Sequence, residues 1–212
     1  MKKSLQIFIT IALISSFLFS QNQKMENNIK YFDENYNPIL KTEYENRKWE
    51  NGLLSIQGDS INHKILSVRE NRGTIENKKK LDSLLTSIIN KKIDSSKTIV
   101  IIYYPGKDLC NSSGSASKSY IKSWFKRLEK KLYKITQTKP IYIYKDKEGL
   151  EKYGNGVMNW YKDPNEIIEK LFFKYHYPCS SFVTISKKGD FISYFGEFSK
   201  EYVWKSAEIL TK

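Results

Sequence analysis

The apolar positions of this chain fall into three regimes. Ile7 to Phe19 is one apolar stretch, broken only by Thr10, Ser15 and Ser16. Residues 25 to 60 are polar and aromatic, with turn signals at Asp33-Glu34-Asn35, Asn37-Pro38 and Asn51-Gly52 and short strands expected at Ile29–Phe32 and Leu53–Gln57. From residue 64 the pattern sharpens. Lys64–Val68 reads as a strand and Asn71-Arg72-Gly73 as a turn. Leu81, Leu84, Leu85, Ile88 and Ile89 recur at helical spacing, and Asp94-Ser95-Ser96 breaks that run. Thr98 to Tyr104 is a continuous β-branched and aromatic run, as a central strand covered on both faces requires, and Pro105-Gly106 ends it.

The next apolar stripe, Ile121, Trp124, Phe125, Leu128 and Leu132, predicts a helix starting near Ser117. Pro140 opens a strand over Ile141–Tyr144, and residues 146 to 162, with Gly149, Gly154 and Gly156, read as a loop. Asp163-Pro164-Asn165-Glu166 reads as a helix start: a cap, proline at the first helical position and Glu three residues after the cap. Ile167, Ile168, Leu171 and Phe172 form the buried face of that helix. Phe182–Ser186 and Phe191–Phe195 flank the turn Lys187-Lys188-Gly189-Asp190 as a hairpin, and Ser199 caps a last helix carrying Val203, Ala207 and Leu210. The order β-α-β-α-β-α-β-β-α implies an α/β fold, a mixed sheet flanked by helices.

The N-terminal stretch changes the picture. Lys2 and Lys3 precede it, Ser20 is a small residue at a cleavage point, and Gln21-Asn22-Gln23-Lys24 follows. That layout is a secretory signal peptide, and the stretch is shorter than the roughly 20 residues of a membrane span. The expected organisation is a signal peptide over 1–20, an N-terminal extension over 21–60 and a folded domain over 61–212. The mature protein is then exported, to the periplasm or beyond, with no membrane span. Removing Lys2 and Lys3 lowers the formal charge from +13 to +11. The excess is nearly all lysine, the arginines being Arg47, Arg69, Arg72 and Arg127, with small lysine clusters at 78–80, 130–131 and 187–188. Phosphate recognition leans on the arginine fork, so the charge reads as solvated surface and no specific nucleic-acid partner is expected.

The element order resembles the thioredoxin fold over residues 64 to 212. Lys174-Tyr175, six intervening positions and then Phe182 to Asp190 look like the thioredoxin stretch running from a helix through the cis-proline loop into the terminal hairpin. Gly196 and the Ser199-capped helix stand where that family has them. Cys110 follows the central strand and precedes a helix, where the family carries its redox Cys-x-x-Cys. Two departures matter. The chain reads Cys110-Asn111-Ser112-Ser113, so Ser113 replaces the second redox cysteine; and Ser181, next to Ser180, stands at the cis-proline position. A non-proline cis bond costs about 2.5–4 kcal/mol, so a trans peptide is expected there. Both departures argue against dithiol oxidoreductase activity.

The two cysteines are Cys110 and Cys179. The resemblance puts them on facing loops, which leaves three arrangements: a structural disulfide, as is usual in exported proteins; two separate thiols; or a redox-active pair in which a helix N-terminus lowers the pKa of Cys110. A peroxiredoxin-like reading fails because Lys107 stands where that motif needs Thr or Ser. His176 near Cys179 reads as a loop histidine, and His63 adds no zinc-finger spacing, so no metal or cofactor is expected. Asn111-Ser112-Ser113 matches a glycosylation sequon only formally, and Ser112 to Ser115 reads as a helix entrance. The expected function is a binding or accessory module of the bacterial cell envelope, with an unidentified protein or small-molecule partner. The alternative is an atypical thiol–disulfide enzyme using Cys110.

Overall fold

The computed structural model describes residues 29–50, 52–107, 116–150, 158–175 and 179–212. The segment expected as a signal peptide, Cys110, Ser113, the sequon, Gly154, Gly156 and His176 lie outside the described residues. Among those that are described, the chain is a mixed α/β protein with five α-helices and two mixed sheets, and it divides into two units between Val68 and Arg69.

In the first unit β1 (Lys30–Phe32), β2 (Pro38–Ile39), α1 (Lys41–Glu50), β3 (Leu54–Gln57) and β4 (His63–Ser67) follow one another. The sheet order is β2-β1-β4-β3, with β1 and β4 parallel and the other pairs antiparallel. Lys64–Val68, expected to open the larger domain, therefore pairs here, because its carbonyls and amides find partners on β1 and β3. Tyr31, Tyr44 and Leu66 form the core, and the Tyr44 hydroxyl reaches Ser55 Oγ at 2.6 Å.

The β1–β2 turn is built on one carboxylate. Asp33 accepts from Asn35 N (2.8 Å), Asn37 N (2.8 Å) and Asn37 Nδ2 (3.0 Å). The Asn37 side chain foremost, then the backbone amides, hold the Asp33 carboxyl below its usual range, with burial opposing. A depressed folded pKa gives stability that is present above the unfolded value of about 3.9 and lost as pH falls through the folded one. Asp33→Asn will therefore differ most from wild type near neutral pH. The gap between their urea midpoints will shrink on titration toward about pH 2; a gap independent of pH would refute this.

The second unit runs β5 (Glu70–Thr74), α2 (Lys78–Ile89), β6 (Ile99–Tyr104), α3 (Lys118–Thr136), β7 (Ile141–Tyr144) and β8 (Trp160–Lys162). A 3-10 turn (Pro164–Glu166), α4 (Ile167–Phe172), β9 (Ser181–Ile185), β10 (Asp190–Tyr194) and α5 (Lys200–Thr211) complete it. The sheet order is β5-β10-β9-β6-β7-β8. β6, β7 and β8 are parallel to one another, while β9 runs antiparallel to β6, β10 to β9 and β5 to β10.

Two expectations are corrected. Asn71-Arg72-Gly73 is not a turn but the middle of strand β5, with Gly73 opposite Phe191. Glycine is needed there because a Cβ would stand 2.9 Å from two atoms of the Phe191 ring. The loop expected over 146 to 162 ends instead in β8, a third parallel strand whose Trp160 ring packs 5.2 Å from Tyr142.

Strand alternation sends Val100, Ile102, Tyr142 and Phe182 to one face, where Phe125, Leu128 and Leu132 of α3 and Val203 and Ala207 of α5 close the core. Tyr103 and Phe191 point to the other face, where Phe173 meets Tyr103 (5.2 Å) and Phe172 meets Phe191 (5.2 Å). The helix starts expected at Ser117 and Ser199 are observed: each hydroxyl accepts a backbone N–H three residues on, at 3.2 Å. Among the described residues no helix is long and apolar enough to cross a membrane.

Candidate functional site

Three of the residues singled out in the sequence meet at one end of the larger sheet. β6 ends at Tyr104 and β9 begins at Ser181, with Tyr103 opposite Ser181 in the ladder. Cys179 stands two residues before that strand, 8% exposed and disulfide-bonded. Its φ of 72° is left-handed, a region that costs a non-glycine residue about 1–2 kcal/mol. Ser180 links it to Ser181 through a trans peptide, as expected, since no described bond is cis. Ser181 is buried, and its Oγ accepts from Gly196 N at 3.0 Å, which fastens the strand start to the turn after β10.

A polar cluster missed in the sequence adjoins this end. Asp163, 1% exposed, was expected to open a helix through a capping box. Instead Asn165 and Glu166 take left-handed φ values of 54° and 58°, and the helix proper starts at Ile167. The Asp163 carboxylate reaches across this kink to accept from Ile168 N (3.1 Å) and Glu169 N (3.1 Å). Glu166 does not fold back on Asp163; it faces Lys145 Nζ at 3.7 Å, while Glu169 binds the same ammonium at 2.7 Å. The Glu169 hydrogen bond, foremost, raises the Lys145 pKa against the opposing effect of burial. Beside them the Tyr103 hydroxyl is buried without a well-formed hydrogen bond. Burial first, then the carboxylates of Glu169, Asp163 and Glu166, push its pKa far above the usual tyrosine value. The phenol is thereby held neutral. The one sequence signal was an acid, Glu169, beside the apolar residues Ile167, Ile168, Leu171 and Phe172 of α4.

Removing the Asp163 carboxylate leaves two buried amides of a six-residue helix without an acceptor. Asp163→Ala is expected to cost about 2 kcal/mol of unfolding free energy, and Asp163→Asn less, since one acceptor oxygen remains. Urea unfolding of both variants checks this, and an alanine variant as stable as wild type would refute it.

The segment after β7 covers the same end of the sheet. The Tyr104 hydroxyl donates to Glu148 O at 2.8 Å, and Lys107 pairs with Glu148 at 3.1 Å. Gly149 is required there: its φ is +85°, and a Cβ would lie 2.5 Å from the Tyr104 oxygen. At the opposite end, by the first residues of β6 and β7, lies an open groove of about 830 Å³ bounded by Ile93, Ile99, Ile141, Met158, Tyr133 and Lys139. On its floor the Tyr142 hydroxyl donates to Glu129 at 2.9 Å, and burial and that carboxylate raise its pKa. Among the described residues no group of His, Cys, Asp and Glu could hold a metal ion. No protein-family model and no curated protein matches this chain.

Proposed function

We propose that this chain is an exported thioredoxin-like module of the bacterial cell envelope that acts by binding or as an accessory domain, without dithiol oxidoreductase activity. The sheet order β7-β6-β9-β10, with α3 joining the parallel pair and β9 running antiparallel to both β6 and β10, supports the thioredoxin-like reading. The observation that carries the functional reading is Cys179. It is buried and bonded at the start of β9, and Cys110 is the one other cysteine in the chain. Dithiol exchange needs an attacking thiolate with a resolving thiol close by. With Ser113 in the second redox position, pairing of Cys179 with Cys110 would leave no thiol for exchange.

A thiol–disulfide enzyme using Cys110 is the second reading. In its favour is the place of Cys179, two residues before β9 and beside Ser181, on the loop that faces the redox cysteine in the thioredoxin fold. Mass spectrometry of the purified mature protein, alkylated before and after mild dithiothreitol, separates the two. The module reading expects two blocked cysteines that resist native reduction. Ready reduction followed by fast alkylation of Cys110 near pH 6 would replace it with the enzyme.

A further inference from the structure

One stretch of the chain, turned into a helix, sets a run of basic residues on the surface. Helix α3 carries Lys118, Lys122, Lys126, Arg127, Lys130, Lys131 and Lys134, all exposed, and a single acid, Glu129. That acid is already engaged by the Tyr142 hydroxyl (2.9 Å) and by Lys139 (3.7 Å). At 3.6 residues per turn, Lys122, Lys126, Arg127, Lys130 and Lys134 occupy the half of the helix facing away from buried Phe125, Leu128 and Leu132. No ion pair among the described residues involves any of the seven. Lys131 is the exception in direction: its Nζ lies 4.5 Å over the Trp204 ring.

This arrangement works against the helix. Lys118, Lys122, Lys126, Lys130 and Lys134 follow one another at i,i+4 spacing, as do Arg127 and Lys131, and each such like-charge pair costs a few tenths of a kcal/mol. The first turn holds no acid to meet the positive end of the helix dipole. A negative surface laid along α3 would relieve both.

We propose that the outward face of α3 docks the protein on an anionic phospholipid bilayer, with the helix lying along the headgroups for about 28 Å. Lysine ammoniums are point charges that suit a diffuse layer of headgroups, whereas nucleic-acid recognition favours the arginine fork, present here once. Tyr120 and Tyr133 flank the stripe, 57% and 52% exposed, as aromatic residues do at a membrane interface. The choice of lipid over nucleic acid also rests on the export reading.

The test is sedimentation of the chain lacking residues 1–20 with phosphatidylcholine vesicles, with and without about one-third phosphatidylglycerol. Binding is expected only to the anionic vesicles, and is expected to vanish at about 0.5 M salt. Lys122→Gln, Lys126→Gln and Lys130→Gln together will weaken it on the order of 100-fold, while the same charge loss at Lys91, Lys92 and Lys187 will change it less than about 3-fold. Wild-type-like binding by the α3 variant, equal weakening by both sets, or tighter binding to duplex DNA than to the anionic vesicles would each overturn the proposal. Export is read separately, from the N-terminal residue of protein recovered from the envelope, so either idea can fail while the other stands.

Discussion

Phe182→Ala is expected to cost about 3–5 kcal/mol of unfolding free energy, a large share of the 5–15 kcal/mol that holds a typical domain together. Phe182 is fully buried on β9, between β6 and β10. Its ring centroid lies 5.1 Å from Phe198, 5.8 Å from Tyr202 and 5.9 Å from Tyr194. Deleting the ring opens a cavity at the point where β9, β10 and α5 converge. Tyr194 is fixed on β10 and Tyr202 on α5, so these neighbours close it only in part. Urea unfolding followed by tryptophan fluorescence reads the change, and a loss under about 1 kcal/mol would mean the site collapses freely.

The second large effect concerns Cys179. On the proposed pairing with Cys110, the bridge closes a long loop, and its removal is expected to cost about 4 kcal/mol by loop entropy. The backbone adds a sign that tells two variants apart. Cys179 holds a φ of 72°, a conformation glycine adopts freely and serine does not. Both Cys179→Gly and Cys179→Ser lose the bridge, but the glycine variant will be the more stable of the two by about 1 kcal/mol. Thermal and urea unfolding of wild type and both variants decide it. A serine variant as stable as wild type would mean that the bond contributes nothing to the fold.

These two residues differ in how legible they were. Phe182 lay in an apolar run ahead of a Lys-Lys-Gly-Asp turn, and its burial follows from that local pattern. The backbone of Cys179 had no local signature. Nor did the cluster of Lys145, Asp163, Glu169 and Tyr103, whose members are spread over more than sixty positions. Asp163 was recognised as a cap, but its acceptors' partners are the amides of Ile168 and Glu169, beyond a left-handed kink that a cap–proline–Glu pattern does not announce. The lysines of α3 were visible one by one, and their common face appeared only once the helix had been turned against its core.

The sequence by itself determined the elements whose signal is periodic and local. These are the central strand β6, the hairpin β9–β10, the apolar stripes of α2, α3 and α5, and the hydroxyl caps at Ser117 and Ser199. Only the tertiary structure decided that Asn71-Arg72-Gly73 extends as an edge strand beside β10, that Trp160–Lys162 joins the parallel set, and that Lys64–Ser67 pairs with β1. Short strands carry too few residues for a period to show. Their backbone hydrogen bonds are satisfied by partners distant in sequence, so what makes them strands is the neighbour and not the residues themselves.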